Sequence, residues 1–502
     1  MTTTKPKGAD LAALPVPVLE CKPEWTALYD FAWKTASKNI RHSRGRDHMD
    51  AAWDPARNYQ WVWDTCFMTL YCRYGNGQFP GIESLDNFYD LQREDGYISM
   101  TYDMTTGVEP WTDRINPPLF AWSEWEYART TGDLSRLPRV IPKIERLMEW
   151  IDRNRRTAPH RRLRAIDNAE AIRGESADAF QLYYFEDGGS SGMDDSPRSP
   201  RVKEAGQHMD WIDLSAQMAL SFRMLAALNR AAGDDAKAVA WETRARETGE
   251  LIESELWCPA TRFYHDRHIP RNFNSSKTVA GFWPVLAGVC TGERLDSLVG
   301  HLLDPREFNR AVPVPSLSAD DCNYDTHGTY WIGGVWAPTN YMVVRGMMTA
   351  GRADVAHTVA AKYLDGLART YREFEPHTLW EANSPDFFKP ALKPYGDHHV
   401  KPDFVGWSGI GPIAMLIENI LGLDVDAVNR TIGWTIRMPG RQGLRNFLFG
   451  GKPADLMCEP QADGRLRLTV KTGGPLRLTV RHGATVRTFD CLAGESVFDW
   501  RD

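Results

Sequence analysis

Three short stretches of the 502-residue chain carry carboxylates where a side chain can be presented rather than packed. GGSSGMDDSPR, residues 188–198, sets Asp194 and Asp195 among Gly and Ser, which turn tightly and cannot build a core. HTLWEANSPDFFKP, residues 377–390, sets Glu381 beside Trp380 ahead of a Pro-containing bend. YQWVWDTCF, residues 59–67, sets Asp64 after Trp61 and Trp63. Two carboxyls facing one pocket can divide acid and base work: the protonated one gives its proton to a leaving oxygen, and the ionised one takes a proton from water. Each stretch alone also has a plainer reading. Asp194 and Asp195 fit a solvated turn, Glu381 fits a structural ion pair, and Asp64 fits a helix cap over packed tryptophans.

The aromatic residues add a second clue. Of 19 Trp and 17 Tyr, many fall in Gly- and Pro-rich segments such as GTYWIGGVWAP, HTLWEANSP and GWSG rather than at helical spacing. A flat apolar face with a polar edge suits the C–H face of a sugar ring, although any single tryptophan more often fills a core. Their concentration in irregular segments favours a binding cleft.

The elements that must position these groups are mostly helical. Helical patterns are expected near 24–39, 64–74, 81–93, 117–130, 136–154, 210–231, 235–256, 276–288, 294–303, 333–350, 352–372 and 405–420. The patterns at 136–154 and 210–231 repeat apolar residues every three or four positions, as for a helix that buries one stripe. Twelve helices in hairpin pairs can close into six inner and six outer members, with long loops at roughly 157–208, 304–332 and 373–404 gathered at one mouth. An open solenoid would use similar hairpins, but no fixed internal period is present. After residue 430 the period changes to two, in RLRLTV, PLRLTV and ATVRTFDCL separated by DG, GG and HG, which reads as a small antiparallel β-module. The resulting division is an N-terminal arm 1–23, an all-α domain 24–430 and a β-module 431–502.

Composition removes several classes of function. With 59 basic against 66 acidic residues there is no positive stripe for nucleic acid. No run approaches the ~18 apolar residues of a membrane helix, and MTTTKPKGADLAALPVPVLE lacks the apolar core of a signal peptide. Eight scattered cysteines without CxxC spacing read as free thiols of a reducing cytoplasm. Asp397, His398 and His399 form a DHH run and His208 lies near Asp210, but neighbours on one loop rarely converge on an ion, so no metal or cofactor is expected. The expected partner is a small carbohydrate; oligomeric state stays open.

Taken together and in order, the three stretches resemble the clan of inverting glycosidases that holds the trehalases of glycoside hydrolase family 37 and the glucosidases and mannosylglycerate-type hydrolases of family 63. That resemblance implies an (α/α)6 barrel. It implies Asp194 as general acid, from a motif like SGMDNSP, and Glu381 as general base, from a stretch like WExYNP. FVGWSG, residues 404–409, is similar to the FxGWT segment that follows the base, adding Trp407. WVWDTCF matches a WDxxF segment whose Asp binds the sugar, implicating Trp63, Asp64 and Phe67, with Trp61 alongside. GGVWAPTNY, residues 333–341, resembles a helix start that implicates Trp336 and Asn340. Asn116, in INPP, stands where SQPP would put a glutamine, and Trp380 and His399 complete the candidates for substrate contact.

An inverting mechanism needs Asp194 protonated near neutrality, which burial or the neighbouring Asp195 would favour, and carboxyls roughly 6.5–9.5 Å apart. Arg198 opposes this if it points inward and merely braces the loop if it does not. The expected substrate is a small α-linked glucoside or related oligosaccharide cut from one end. Two rival readings are a polysaccharide lyase on the same toroid, with Tyr330 and His399 as proton-transfer groups, and a carbohydrate-binding protein without chemistry.

Overall fold

The computed structural model describes residues 8–52, 57–156, 182–198, 209–268, 272–394 and 396–500. Much of the expected loop 157–208 therefore lies outside the described residues, as does His208.

Burial separates the helical segments into two kinds. Val62–Cys72, Phe120–Thr131, Ile212–Ala231, the short pair Val279–Phe282 and Trp283–Leu286, Ala337–Thr349 and Gly411–Ile420 bury side chains on most or all faces. A helix apolar all round must be enclosed by others. Each packs on the next in that order, and Gly411–Ile420 packs back on Val62–Cys72. The remaining helices bury one stripe. Ala353–Glu373 buries Ala356, Val359, Ala360, Tyr363, Leu364 and Leu367, at spacings of one, three and four, and packs on both Ala337–Thr349 and Gly411–Ile420. Leu137–Arg155, Asp235–Glu255 and Pro23–Lys38 cover other enclosed segments in the same way.

Most expected helices recur with ends moved by one to four residues. Three differ in kind. Ile212–Ala231 shows no single stripe, because it is enclosed and its polar residues Asp213, Ser215, Gln217 and Ser221 are buried too. The pattern at 276–288 resolves into a 3₁₀ turn and one short helix, since Pro284 lacks the N–H that would continue a longer one. The 405–420 pattern becomes a 3₁₀ turn followed by a π-helix, Gly411–Ile420.

The C-terminal sheets begin at Leu423. One has four strands in the order Leu423–Asp426, Thr431–Ile436, Leu476–His482, Thr485–Cys491. The other has five: Val16–Leu19, Gln442–Phe449, Lys452–Pro460, Leu466–Thr472 and Gly494–Trp500. All pairings are antiparallel except Thr431–Ile436 with Leu476–His482, which the long connection through the other sheet allows to run parallel. The expected N-terminal arm is therefore tied down: Val16 to Leu19 pair with Arg445 to Gln442.

The sheets sit at the end of the helices away from Asp64. Asp64 is in the first turn of Val62–Cys72, whereas Asn76, just past its last turn, donates to Asn446 O at 2.6 Å and accepts from Leu448 N at 3.0 Å. Eleven helical residues separate the two ends by about 16 Å. No described helix is long and apolar enough to cross a membrane.

Candidate active site

A cavity of about 420 Å³ opens at the end of the enclosed helices opposite the sheets. Asp64, Asp194 and Glu381 all line it, so segments far apart in the chain converge on one space.

Asp194 is aimed by a stack of local constraints. The short helix Gly188–Ser191 is capped by Asp187, whose Oδ1 accepts from Ser190 N at 2.9 Å and whose other oxygen pairs with Arg114 at 2.7 Å. Gly192 follows at φ 79°, and a Cβ there would meet the Trp63 ring at 3.2 Å, so both conformation and space call for glycine. Asp195 turns away and accepts from Trp331 N at 2.9 Å, tying this loop to the one carrying Tyr330. Arg198 points away from the cavity into a fully buried pair with Asp213 and Asp266, which braces the loop from behind. The Asp194 carboxyl is open to solvent in the cavity but walled in by protein. This enclosure, with the charges of Asp195 and Glu381, pushes it up to about 7 against the weaker opposing pull of Lys393.

Glu381 is held differently. Its Oε2 accepts from Lys393 Nζ at 2.6 Å and from Lys401 N at 3.0 Å, while among the described residues Oε1 meets only the Tyr330 hydroxyl at 3.4 Å. The carbonyl of Glu381 accepts from Trp407 Nε1 at 2.7 Å, fixing the backbone as well. One carboxylate oxygen is thus saturated and the other is left facing the cavity. Tyr330 itself sits at φ 46°, an unusual backbone state for a non-glycine that brings its hydroxyl over the carboxylate.

Asp64 stands in the first helical turn rather than at the cap, which is Trp61, because the helix starts two residues before the acid. Burial, followed by the charges of Glu381, Asp50 and Asp194, raises it well above the usual carboxylate range. Asp50, on the same wall, is pushed up to about 6 by burial, against the pull of Arg41.

Of the other candidate residues, Trp61, Trp63, Asn116 and Trp407 line the cavity. The indole N–H of Trp63 is buried without a partner among the described residues. Asn116 also donates to Ser190 O at 3.0 Å, so its amide braces the loop that leads into Asp194. Phe67 lies beneath Trp63, with ring centres 4.8 Å apart. Trp336 is buried and stacked on Trp331 at 4.2 Å, and the buried Asn340 donates its amide N–H groups to the Pro313, Val314 and Trp336 carbonyls. Trp380 and His399 pack with Phe374 behind the Glu381 loop. Of the two residues cast as lyase groups, Tyr330 lines the cavity and His399 stands behind its wall. Asp397 and His398 pair with each other on an exposed turn.

Sequence reasoning passed over Asp50, Trp111, Lys393 and Lys401. The two lysines sit 12 and 20 residues beyond Glu381, and only the isolated bridges between 380–383 and 390–402 bring them back. No local signal in the chain marks that return.

Residues 57–388 match the mannosylglycerate hydrolase MGH1-like glycoside hydrolase domain. An uncharacterized protein of Borreliella burgdorferi is 24% identical over 404 residues, 78% of each chain. The periplasmic trehalase of Citrobacter koseri is 26% identical over 165 residues, 32% of this chain and 27% of the trehalase. Among solved structures, the family 63 mannosylglycerate hydrolase of Thermus thermophilus in complex with Tris shares the fold with a TM-score of 0.58 at 19% identity, covering 77% of this chain and 100% of that one. The helix-rich frame, the carboxylate-lined cavity and the matched domain lead to one conclusion: the chain belongs to the mannosylglycerate hydrolase MGH1-like family and is a glycoside hydrolase.

Proposed function

We propose that the protein is an inverting, exo-acting α-glycosidase on an (α/α)6 barrel, with Asp194 as general acid and Glu381 as general base. The carrying observation is the contrast between two carboxyls on one cavity. Glu381 has a lysine ammonium on one oxygen, and Asp194 has no cation of its own among the described residues and is pushed up to about 7. In the reaction, the Asp194 proton passes to the glycosidic oxygen as the anomeric C–O bond breaks. Water attacks the opposite face of the sugar and gives its proton to Oε1 of Glu381, the oxygen not already saturated. No covalent intermediate forms.

The barrel reading is supported by the cyclic packing of the enclosed helices under an outer layer. The proposed division keeps the catalytic domain at 24–430, the β-module at 431–502 and the arm at 1–23. In this reading Trp61, Trp63, Asp64, Asn116 and Trp407 touch the sugar, and Phe67, Trp336, Asn340, Trp380 and His399 hold those groups in place. Eight unpaired cysteines support a cytoplasmic site of action.

The substrate class proposed is a small α-linked glucoside or related oligosaccharide. A second reading, a glycosylglycerate, is favoured by Arg57 and Lys401, which line the cavity without an ion pair among the described residues. Product configuration followed by NMR on α-disaccharides and glycosylglycerates tests the mechanism. A β-anomer as first product supports inversion, and an α-anomer overturns it.

A further inference from the structure

Among the described residues Trp111 is the most exposed tryptophan, at 38%. It lines the catalytic cavity, and its ring stands 5.3 Å from that of Trp61 at 33°, with Tyr59 set edge-on at 6.2 Å. An indole left in water forfeits the burial that usually stabilises it, unless a ligand supplies the missing contact.

The loop that carries it is braced. Ser99 Oγ donates to Trp111 O at 3.3 Å, Met100 N donates to Arg114 O at 2.9 Å, and Arg155 donates to Asp113 O. Arg114 then reaches Asp187, the cap of the short helix that leads into Asp194. The exposed ring is therefore held in register with the general acid, not loose at a loop tip.

The depth of the cavity orders its two ends. Trp63 and Asn116 are nearly inaccessible beside Asp64, whereas Trp111 and Arg57 are exposed. A sugar held at Asp64 has its leaving group directed outward, on the side of the acid that protonates the leaving oxygen. We infer that Trp111 and Trp61 form the subsite for the leaving group, and that this group is a ring with a C–H face, as in a disaccharide, rather than a short acyclic acid. This rests on the hydrolase reading above and deepens it. A pyranose laid on the outer face of Trp111, which Trp61 backs at 5.3 Å, buries its apolar C–H face there. A three-carbon aglycone is too small to cover that ring.

The test compares substrates with and without such a ring. Wild type, Trp111→Ala and Trp111→Phe are assayed on a panel of α-linked disaccharides, on α-glucosyl and α-mannosyl glycerate, and on α-glucosyl and α-mannosyl fluoride, whose leaving group has no ring. Because truncating a sugar-stacking indole costs roughly tenfold or more in kcat/KM, Trp111→Ala should lose at least ten times more on the disaccharide than on the fluoride, with Trp111→Phe recovering most of it. Equal losses on both substrates, or none on either, overturn the subsite. Wild type that cleaves the fluorides and glycerates but no disaccharide also overturns it and leaves the hydrolase reading standing. Inactivity on every substrate takes both.

Discussion

The ammonium of Lys393 lies 2.6 Å from Oε2 of Glu381 and 5.0 Å from the centre of the Tyr330 ring, so one cation is shared between the candidate base and the residue over its other oxygen. A base needs its carboxylate held in line for the attacking water, which this contact does for Glu381, and the same cation pulls the Asp194 carboxyl down. Lys393→Gln should therefore move the alkaline limb of the kcat/KM profile to higher pH, as Asp194 is released upward, and lower kcat by about tenfold as Glu381 loses its anchor, with Lys393→Arg restoring much of both. A profile unchanged from pH 4 to 9 would remove Lys393 from this role.

Asp194 carries the opposite demand as the proposed acid, since in that role it must hold its proton. With its carboxyl near 7, activity should fall as pH rises through that value. Asp195→Asn keeps an oxygen for Trp331 N but removes a charge that pushes Asp194 up. The alkaline limb should move to lower pH by about half to one unit. A limb that stays in place would mean the neighbour's charge is screened.

The same group predicts a trade between activity and stability. A carboxyl whose folded value is raised costs nothing below its ordinary value of 3.8 and opposes folding above about 7, where it is ionised in a site that disfavours charge. Asp194→Asn should cut turnover by about 10²–10⁴ while raising the melting temperature at pH 8 by about 1–2 °C and leaving it unchanged near pH 4. Melting curves at the two pH values, with rates on the same samples, decide it.

Gly192 joins sequence to site most directly. The stretch GGSSGMDDSPR marked a turn that presents Asp194, and the structure supplies the reason for that glycine: φ 79° and a Trp63 ring where a side chain would go. Gly192→Ala should cost about 1–2 kcal/mol in the backbone and push Asp194 off line, lowering kcat at least tenfold while the fold survives. Chemical denaturation and steady-state rates on one preparation check both parts.

What was legible followed from local pattern. Glycine and proline around Asp194 and Glu381, the three-and-four spacing of 136–154 and the alternation of the C-terminal strands are each local. Groups that reach the site through tertiary return were not legible: Lys393 and Lys401 look like ordinary surface lysines, and Asp50 lies outside any motif. Ile212–Ala231 misled for a related reason, because its enclosure depends on neighbours that no single-helix period records. The family match covers 57–388 and so leaves both lysines and Trp407 beyond its end.

At the far end of the helices a buried ionic cluster joins four of the enclosed segments. Arg73, just past Val62–Cys72, meets Glu126 at 2.5 Å and Glu418 at 2.6 Å; Arg345 meets the same two at 2.9 and 3.1 Å, and Tyr341 donates to Glu418 at 3.0 Å. Burial alone would raise the Glu126 carboxyl, but Arg345 and Arg73 outweigh it and hold it well below its usual range. A depressed carboxylate adds stability above its ordinary value of 4.5 and loses it on acidification. Arg345→Met leaves two carboxylates sharing one guanidinium out of reach of water, which should cost about 3–5 kcal/mol. The acid-unfolding midpoint should rise, because the variant has less of that stability to lose. The cavity lies about 16 Å away along the helix, so kcat/KM of the folded enzyme should change less than threefold. A variant as stable as wild type would show that packing alone holds the enclosed helices together, and one that stays stable but loses activity would place the cluster in the catalytic machinery instead.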